Sequence, residues 1–329
     1  MIPGDIGRTL GVRASGTWRP GPPGTYATSL PFLMASAAGA APEEVAAGLA
    51  ATLRSQDWIR AASVTGGGYL TVTVTARALA GLAVRVPTAG AGWANSDALR
   101  GTELTAPASA DPGSAASWEE AWELVAAWVT GRLAGIAGAT VKIQDYLERE
   151  SPPDQAPAAA AVAFAGPEAI RYALVGITSG RAARIDASRW ARADLGNPFF
   201  AVRYAHARAA SVLRWAADLG IDRGPADVFR PELLSHRAEL ELLDAISWLP
   251  ERAASAARRR RPDAFTRYLE CLAARWLDCA ESSPALPFGG RAAPQDEHEA
   301  AARLWLAAAA QTALGSAMRL LGVAAPQRL

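Results

Sequence analysis

The sequence predicts a multidomain α+β chain. It divides into a small N-terminal α+β domain (residues 1–90), a truncated α/β stub with a linker (91–165) and a C-terminal all-α helical bundle (166–329). Three observations lead there. Ile59–Val64 and Tyr69–Val74 are β-rich runs separated by Gly66-Gly67-Gly68, and the second alternates cleanly, so the pair reads as a hairpin with a glycine turn. From Leu104 to Ala165 only one strand and one helix fit, with room for a second strand, before and around the Pro/Ala-rich stretch Glu148–Ala160. From Gly166 onward, successive segments carry apolar residues at three- and four-residue spacing, joined by short links.

Taken in order, residues 1 to about 18 leave room for one short helix, and Arg19–Gly24 is a Pro/Gly turn cluster. Tyr26–Ala37 reads as helical. Pro42 opens another helix to about Arg54, with Glu43 and Glu44 in the first turn, where the helix dipole favours acids. Ala76–Val84 reads as the helix that closes the first domain. In the stub, Leu104–Pro107 and Ala139–Ile143 are strand candidates. Ser117, with Glu120 three residues on, forms a capping box at the head of a helix over Trp122–Leu133. In the last block Pro167–Gly176 is helical, and Asn197 caps a helix whose first position is Pro198, a residue with no backbone donor to leave unpaired. That helix runs to about Ala217, with Gly220 as its stop. Phe199, Val202, Ala209 and Leu213 form its apolar stripe, while Arg203, His206, Arg208 and Arg214 stay polar beside Tyr204. Pro231–Ser247, Pro250–Arg261, Asp263–Glu281 and Glu297–Leu321 complete the bundle.

Composition narrows the function classes. Half the residues are hydrophobic and 11 are tryptophan, so the chain is globular, and the net charge of +1 gives no strong overall field. From Gly166 onward 22 basic residues face 18 acidic ones, a lean of +4 toward a polyanionic partner. Lysine occurs once, at Lys142. Cys271 and Cys279 stand too far apart on one helix to bond each other. With three scattered histidines they make no metal-ligand pattern. His206, His236 and His298 each stand alone, which reads as structural. No GxGxxG or phosphate-binding loop is present. The N-terminus has no apolar signal core, and Gln311, Thr312, Ser316 and Arg319 interrupt the apolar run Leu304–Ala325, which reads as a buried core helix. A cytoplasmic protein with reduced thiols and no membrane association is expected.

The stretch Asn197-Pro198-Phe199-Phe200-Ala201-Val202-Arg203-Tyr204-Ala205-His206-Ala207-Arg208 resembles the opening of the anticodon-binding domain of class I arginyl-tRNA synthetases. Glu168-Ala169-Ile170-Arg171-Tyr172 stands where that family has its motif before the domain. The tail Gly322-Val323-Ala324-Ala325-Pro326-Gln327-Arg328-Leu329 resembles the family's terminus, which lies against the anticodon loop. The literal Asp97-Ala98-Leu99-Arg100 is a coincidence outside that context. In the N-terminal block, Gly24-Thr25-Tyr26 and Gly66-Gly67-Gly68-Tyr69-Leu70 resemble the family domain that leans on the tRNA elbow. Thr25 and Ser29 replace its usual Asp and Asn. Where the family has its His-x-Gly-His adenylation motif, this chain has Ser117-Trp118-Glu119-Glu120, and two carboxylates there would repel a triphosphate.

The resemblance implies a non-catalytic tRNA-binding protein, with no catalytic residues and no cofactor. Its partner is tRNA, with tRNA-Arg the first candidate, or another structured RNA. The residues implied in contact are Arg203, Tyr204, Arg208, Tyr268, Trp276, Arg328 and Leu329. Tyr268 and Trp276 have two open readings, as platforms for stacked bases or as core of the bundle. The family's later aromatic pair is replaced here by Cys279 and Ala280. Arg258–Arg261 is also open, between a solvated helix end and a phosphate-tracking patch. The alternative function is a protein-interaction module that kept the fold without RNA. Arginine–tRNA ligation is the least favoured.

Overall fold

The computed structural model describes residues 2–12, 18–144, 157–178, 184–287 and 296–329. They form two compact units, neither continuous in sequence. One comprises Met1–Gly90, Val212–Glu251 and Asp278–Ala310; the other comprises Ala91–Ser211, Arg252–Leu277 and Gln311–Leu329. The sequence block 166–329 therefore supplies segments to both.

The first unit opens with helix α1 (Ile2–Thr9) and is built on a four-stranded antiparallel sheet, in the order β1 (Trp18–Pro20), β2 (Thr25–Thr28), β4 (Tyr69–Val74), β3 (Ile59–Thr65). Gly66, Gly67 and Gly68 all adopt positive φ between β3 and β4, a conformation glycine reaches without a Cβ penalty, so the expected hairpin is present. Helices α2 (Leu30–Ala38) and α3 (Pro42–Arg54) accompany the sheet. Tyr26–Thr28 is strand, not the start of a helix as the sequence reading had it. Pairing with β4 buries Tyr26 and Thr28, and this long-range partner overrides local propensity. The helix over Ala76–Val84 is two pieces, α4 (Ala76–Ala80) and α5 (Leu82–Ala89), joined at Gly81. The Tyr26 ring packs 5.3 Å from Trp248, and its hydroxyl lies 3.0 Å from Ser247 Oγ.

The second unit contains a parallel strand–helix–strand element: β5 (Glu103–Pro107), α6 (Trp118–Ile136) and β6 (Thr140–Gln144). Gly131 of α6 faces Ala106 so closely that a Cβ there would sit 2.4 Å from the alanine methyl; its absence sets the helix-to-strand spacing. The Ser117 hydroxyl accepts from the Glu120 amide at 3.1 Å. The Glu120 carboxylate takes the amide of Ala116 at 2.8 Å, and α6 begins at Trp118, four residues earlier than expected. Helices α7 (Pro157–Ala165), α8 (Pro167–Val175) and α9 (Ala187–Trp190) follow. Of the Pro/Ala-rich stretch Glu148–Ala160, residues 148–156 lie outside the described residues.

Helix α10 (Pro198–Asp218) starts at Asn197 as expected. The Asn197 Oδ1 accepts from the Phe199 amide, and its Nδ2 donates to the carbonyls of Trp190 and Arg192. At its other end Gly220 sits at φ 69°, with Ile221 N bonded back to Ala216 O, the glycine stop read from the sequence. Helix α11 is Arg237–Ser247, shorter than Pro231–Ser247: His236 caps it, and Glu239 returns a bond to the His236 amide. Helices α12 (Leu249–Arg258), α13 (Pro262–Ser282) and α14 (Glu297–Leu320) complete the chain. Among the described residues no single helix is long and apolar enough to cross a membrane; by length and composition alone the pair α7–α8, bent by 120°, passes. The buried interior of α14 agrees with its reading as a core helix.

Candidate nucleic-acid interface

The α10 capping geometry fixes which side chains its first turns present. Phe199, Val202 and Ala205 are buried, whereas Arg203, Tyr204 and Arg208 are half-buried. The Arg203 guanidinium lies 5.1 Å over the Phe199 ring, a cation–π contact that holds the cation to the helix surface. Its Nε is shielded and has no hydrogen-bond partner. A shielded, unpaired polar nitrogen costs roughly 1–3 kcal/mol, so the site is not optimised for stability. Tyr204 stacks on Phe200, with centroids 6.1 Å apart and planes 17° from parallel, so the two rings lie in register on one side of α10.

The segment after α14 comes to the same helix. His206 is buried, and its Nδ1 donates to the Pro326 carbonyl at 2.8 Å. Burial lowers its pKa below the ordinary 6.5, with the nearby Arg319 charge acting the same way and the Pro326 bond opposing, so the imidazole is neutral near pH 7. The Gln311 amide nitrogen lies 3.2 Å from Gln327 Oε1, and the Ala324 amide donates to Glu168 Oε2 at 3.2 Å. Arg171, on α8, donates to the Gly322 carbonyl at 2.8 Å. Arg328 and Leu329 follow, exposed. Thus α10, the helix on which Arg203, Tyr204 and Arg208 sit, is bonded at His206 to the segment carrying Arg328 and Leu329.

The two aromatic candidates on α13 fare differently. Tyr268 is half-buried and tilted against Phe265 at 5.8 Å. Trp276 is only 3% exposed, and its indole nitrogen has no partner. A stacking platform has to offer a ring face to solvent, and this ring offers none, which corrects its reading as a base platform in favour of the core. The sequence could not decide between the two, because both sit at amphipathic positions. His206, read as structural, is buried and bonded to backbone; what sequence reasoning missed is its partner, Pro326, which links the two stretches that carry the resemblance.

In the arginine run, Arg261 makes a bidentate pair with Asp263, at 2.8 Å for each bond, and Arg267 reaches the same carboxylate at 2.6 Å. The Arg261 hydrogen bond, with help from Arg267 and against burial, holds the Asp263 pKa at about 2. Arg260 sits at φ 50°, the left-handed position at a helix end that glycine usually takes.

Elsewhere, a cleft of about 550 Å³ is lined by Asp5, Arg8, Trp58, Arg77 and Arg85 among others, and the Asp5 carboxylate is engaged by both Arg8 and Arg85. Tyr26, of the stretch expected at a tRNA elbow, is fully buried, and the neighbouring Gly24 amide donates to Asp244 at 3.0 Å. Among the described residues no cluster of three or more His, Cys, Asp or Glu could hold a metal ion. Cys279 is buried beside Glu239, and burial pushes its thiol up to about 12; Cys271 is exposed.

Residues 202–329 match the DALR anticodon binding domain, and residues 21–74 match the arginyl tRNA synthetase N terminal domain. A 171-residue stretch is 35% identical to the arginine–tRNA ligase of Paenarthrobacter aurescens, covering 51% of this chain and 30% of that protein. The arginine–tRNA ligase of Clavibacter sepedonicus is 38% identical over 167 residues, covering 50% of this chain and 28% of that one. The chain thus matches under a third of the length of these relatives. The Thermus thermophilus arginyl-tRNA synthetase shares the fold, at 14% identity and a TM-score of 0.57, over 99% of this chain and 98% of that one. The resemblance read from the sequence is borne out in both domains.

Proposed function

We propose that this chain, which carries the anticodon-binding and N-terminal domains of arginyl-tRNA synthetases, is a tRNA-binding protein without ligase activity. The observation that supports the reading best is the His206–Pro326 bond, which joins α10, the helix that carries Arg203, Tyr204 and Arg208, to the segment that carries Arg328. Arg203, Arg208 and Arg328 supply charge for phosphates, and the exposed side of the Phe200–Tyr204 pair supplies a face for an unstacked base. Tyr268 adds a second aromatic edge, while Trp276 supports the bundle from inside. The 1–90, 91–165 and 166–329 blocks then read as an N-terminal domain, a reduced catalytic region and the RNA-binding domain.

The absence of ligase activity rests on the head of α6. There Ser117 and Glu120, which stand where the family has its two histidines, are engaged in capping, and Glu119 stands at the motif's glycine. A triphosphate brought to this helix start would meet two carboxylates, and their repulsion offsets the favourable dipole of the helix N-terminus.

Gel-shift titration with tRNA-Arg and a mismatched tRNA tests binding, and arginine-dependent ATP–pyrophosphate exchange tests catalysis. Binding without exchange is the expected result. Exchange above background would restore the ligase reading. No binding at low salt would favour the protein-interaction module, which the net charge of +1 also suits.

A further inference from the structure

Helix α14 ends in a turn that two arginines hold from outside. Gly322 adopts φ 69°, with Val323 N bonded to Met318 O and Gly322 N to Arg319 O. The last carbonyls of a helix lack intrahelical donors and carry the negative end of its dipole. Here Arg132 of α6 takes two of them, donating from Nη2 to Arg319 O at 2.7 Å and from Nε to Leu320 O at 3.2 Å. Arg171 of α8 donates to Gly322 O, two residues past the helix end, and its Nε donates to Ala110 O at 3.1 Å. The Trp128 ring is shared by the two guanidiniums, at 4.6 and 5.2 Å, and the Gly322 backbone lies against it.

Holding two cations this close is unfavourable by itself. Burial, and then the Arg171 charge, lower the Arg132 pKa. A helix end needs no such pair, since one glycine and an apolar contact suffice to stop it. We infer that Arg132 and Arg171 are positioning residues: they fix the backbone at 319–322, and with it the direction in which the Arg328 segment leaves α14. Glu168, Gln311 and His206 continue the hold to residue 327. The part that would touch RNA therefore leaves a fixed base, and little ordering remains for the moment of binding. This rests on the tRNA-binding reading for its purpose and stands apart from it as structure.

The test uses the full chain with Arg132→Gln and Arg132→Lys. Hydrogen–deuterium exchange of residues 322–327 is the first readout, with α3 and α11 as internal references. Arg132→Gln is expected to speed exchange in 322–327 by tenfold or more and to leave the references unchanged. Lysine, a point charge that serves one carbonyl at a time, restores part of the protection. The second readout is tRNA-Arg affinity against salt. Arg132→Gln is expected to weaken binding 5- to 10-fold and to lower the slope of log K against log salt by about 0.7–0.9, the loss of one phosphate contact, as Arg328→Ala does. The double variant is expected to lie within twofold of Arg132→Gln alone. Unchanged exchange in 322–327, faster exchange everywhere, or fully additive effects of the two substitutions would each overturn the inference. If the wild-type chain binds no tRNA, the functional reading fails, while the exchange result still decides whether the arginines hold the segment.

Discussion

Gly322→Ala separates two physical terms that the structure superposes. Alanine at φ 69° pays for the left-handed conformation, about 1 kcal/mol. A Cβ there would also lie 2.5 and 2.6 Å from Trp128 ring carbons and 3.1 Å from Arg171 Nη1. Relieving that overlap requires the indole to shift within a packed site, which costs about 1–3 kcal/mol. The total is about 2–4 kcal/mol. Gly220 provides the control: it also ends a helix at φ 69°, and a Cβ there meets nothing within 4 Å, so Gly220→Ala should cost only the conformational part, about 1 kcal/mol. Thermal unfolding followed by circular dichroism reads both. For a cooperative unit of 150–250 residues the melting temperature falls by about 2–4 °C per kcal/mol, so Gly322→Ala should lose about 4–16 °C and Gly220→Ala about 2–4 °C. Equal losses at the two positions would mean that Trp128 does not lie over the Gly322 turn, and the account of the arginine–tryptophan site would fall with it.

Other outcomes follow from the same structure. Trp276→Phe removes a buried nitrogen that has no partner, so tRNA affinity should stay within twofold of wild type; a tenfold loss in a filter-binding assay would return Trp276 to the list of base contacts. Tyr204→Ala should weaken tRNA binding by about 1–3 kcal/mol, the worth of one stacked base, with helix content by circular dichroism unchanged. Asp263 is held at about 2, below its ordinary 3.8, so its contribution of about 2 kcal/mol is present above pH 3.8 and is lost as pH falls toward 2. Asp263→Asn should therefore destabilise the chain at pH 7 and flatten the acid limb of the stability curve between those values in urea titrations. Because burial lowers the His206 pKa, the folded state binds fewer protons than the unfolded chain just below 6.5. Its contribution is present above 6.5 and declines as pH falls through that value. NMR titration should show His206 protonating below 6.5.

The parts legible in the sequence are those fixed by local rules. The three-glycine hairpin needs positive φ at consecutive positions, and Asn197-Pro198 states a helix start in its own chemistry. The Ser117 cap was visible for the same reason, although its Glu120 partner bonds the amide of Ala116. Tyr26–Thr28 was misread because its strand sits between two partners, the short β1 just before it and β4 more than forty residues on, and only the pairing shows it. The candidate surface divides along the same line. Arg203, Tyr204 and Arg208 could be named because one helix carries them. The segment bonded to their helix is placed by contacts between residues 120 to 188 positions apart, which no spacing rule encodes. Trp276 could not be assigned, because an amphipathic position says that a ring lies at a boundary and not which side of it faces water.

The central claim, that α10 and the segment after α14 form one RNA-binding surface, is tested most directly by ultraviolet crosslinking of 4-thiouridine-substituted tRNA-Arg to the full chain, with the crosslinked peptides read by mass spectrometry. The account predicts crosslinks within residues 203–208 and 326–329 that disappear together in 1 M salt. Crosslinks confined to other segments, or none at low salt, would contradict it.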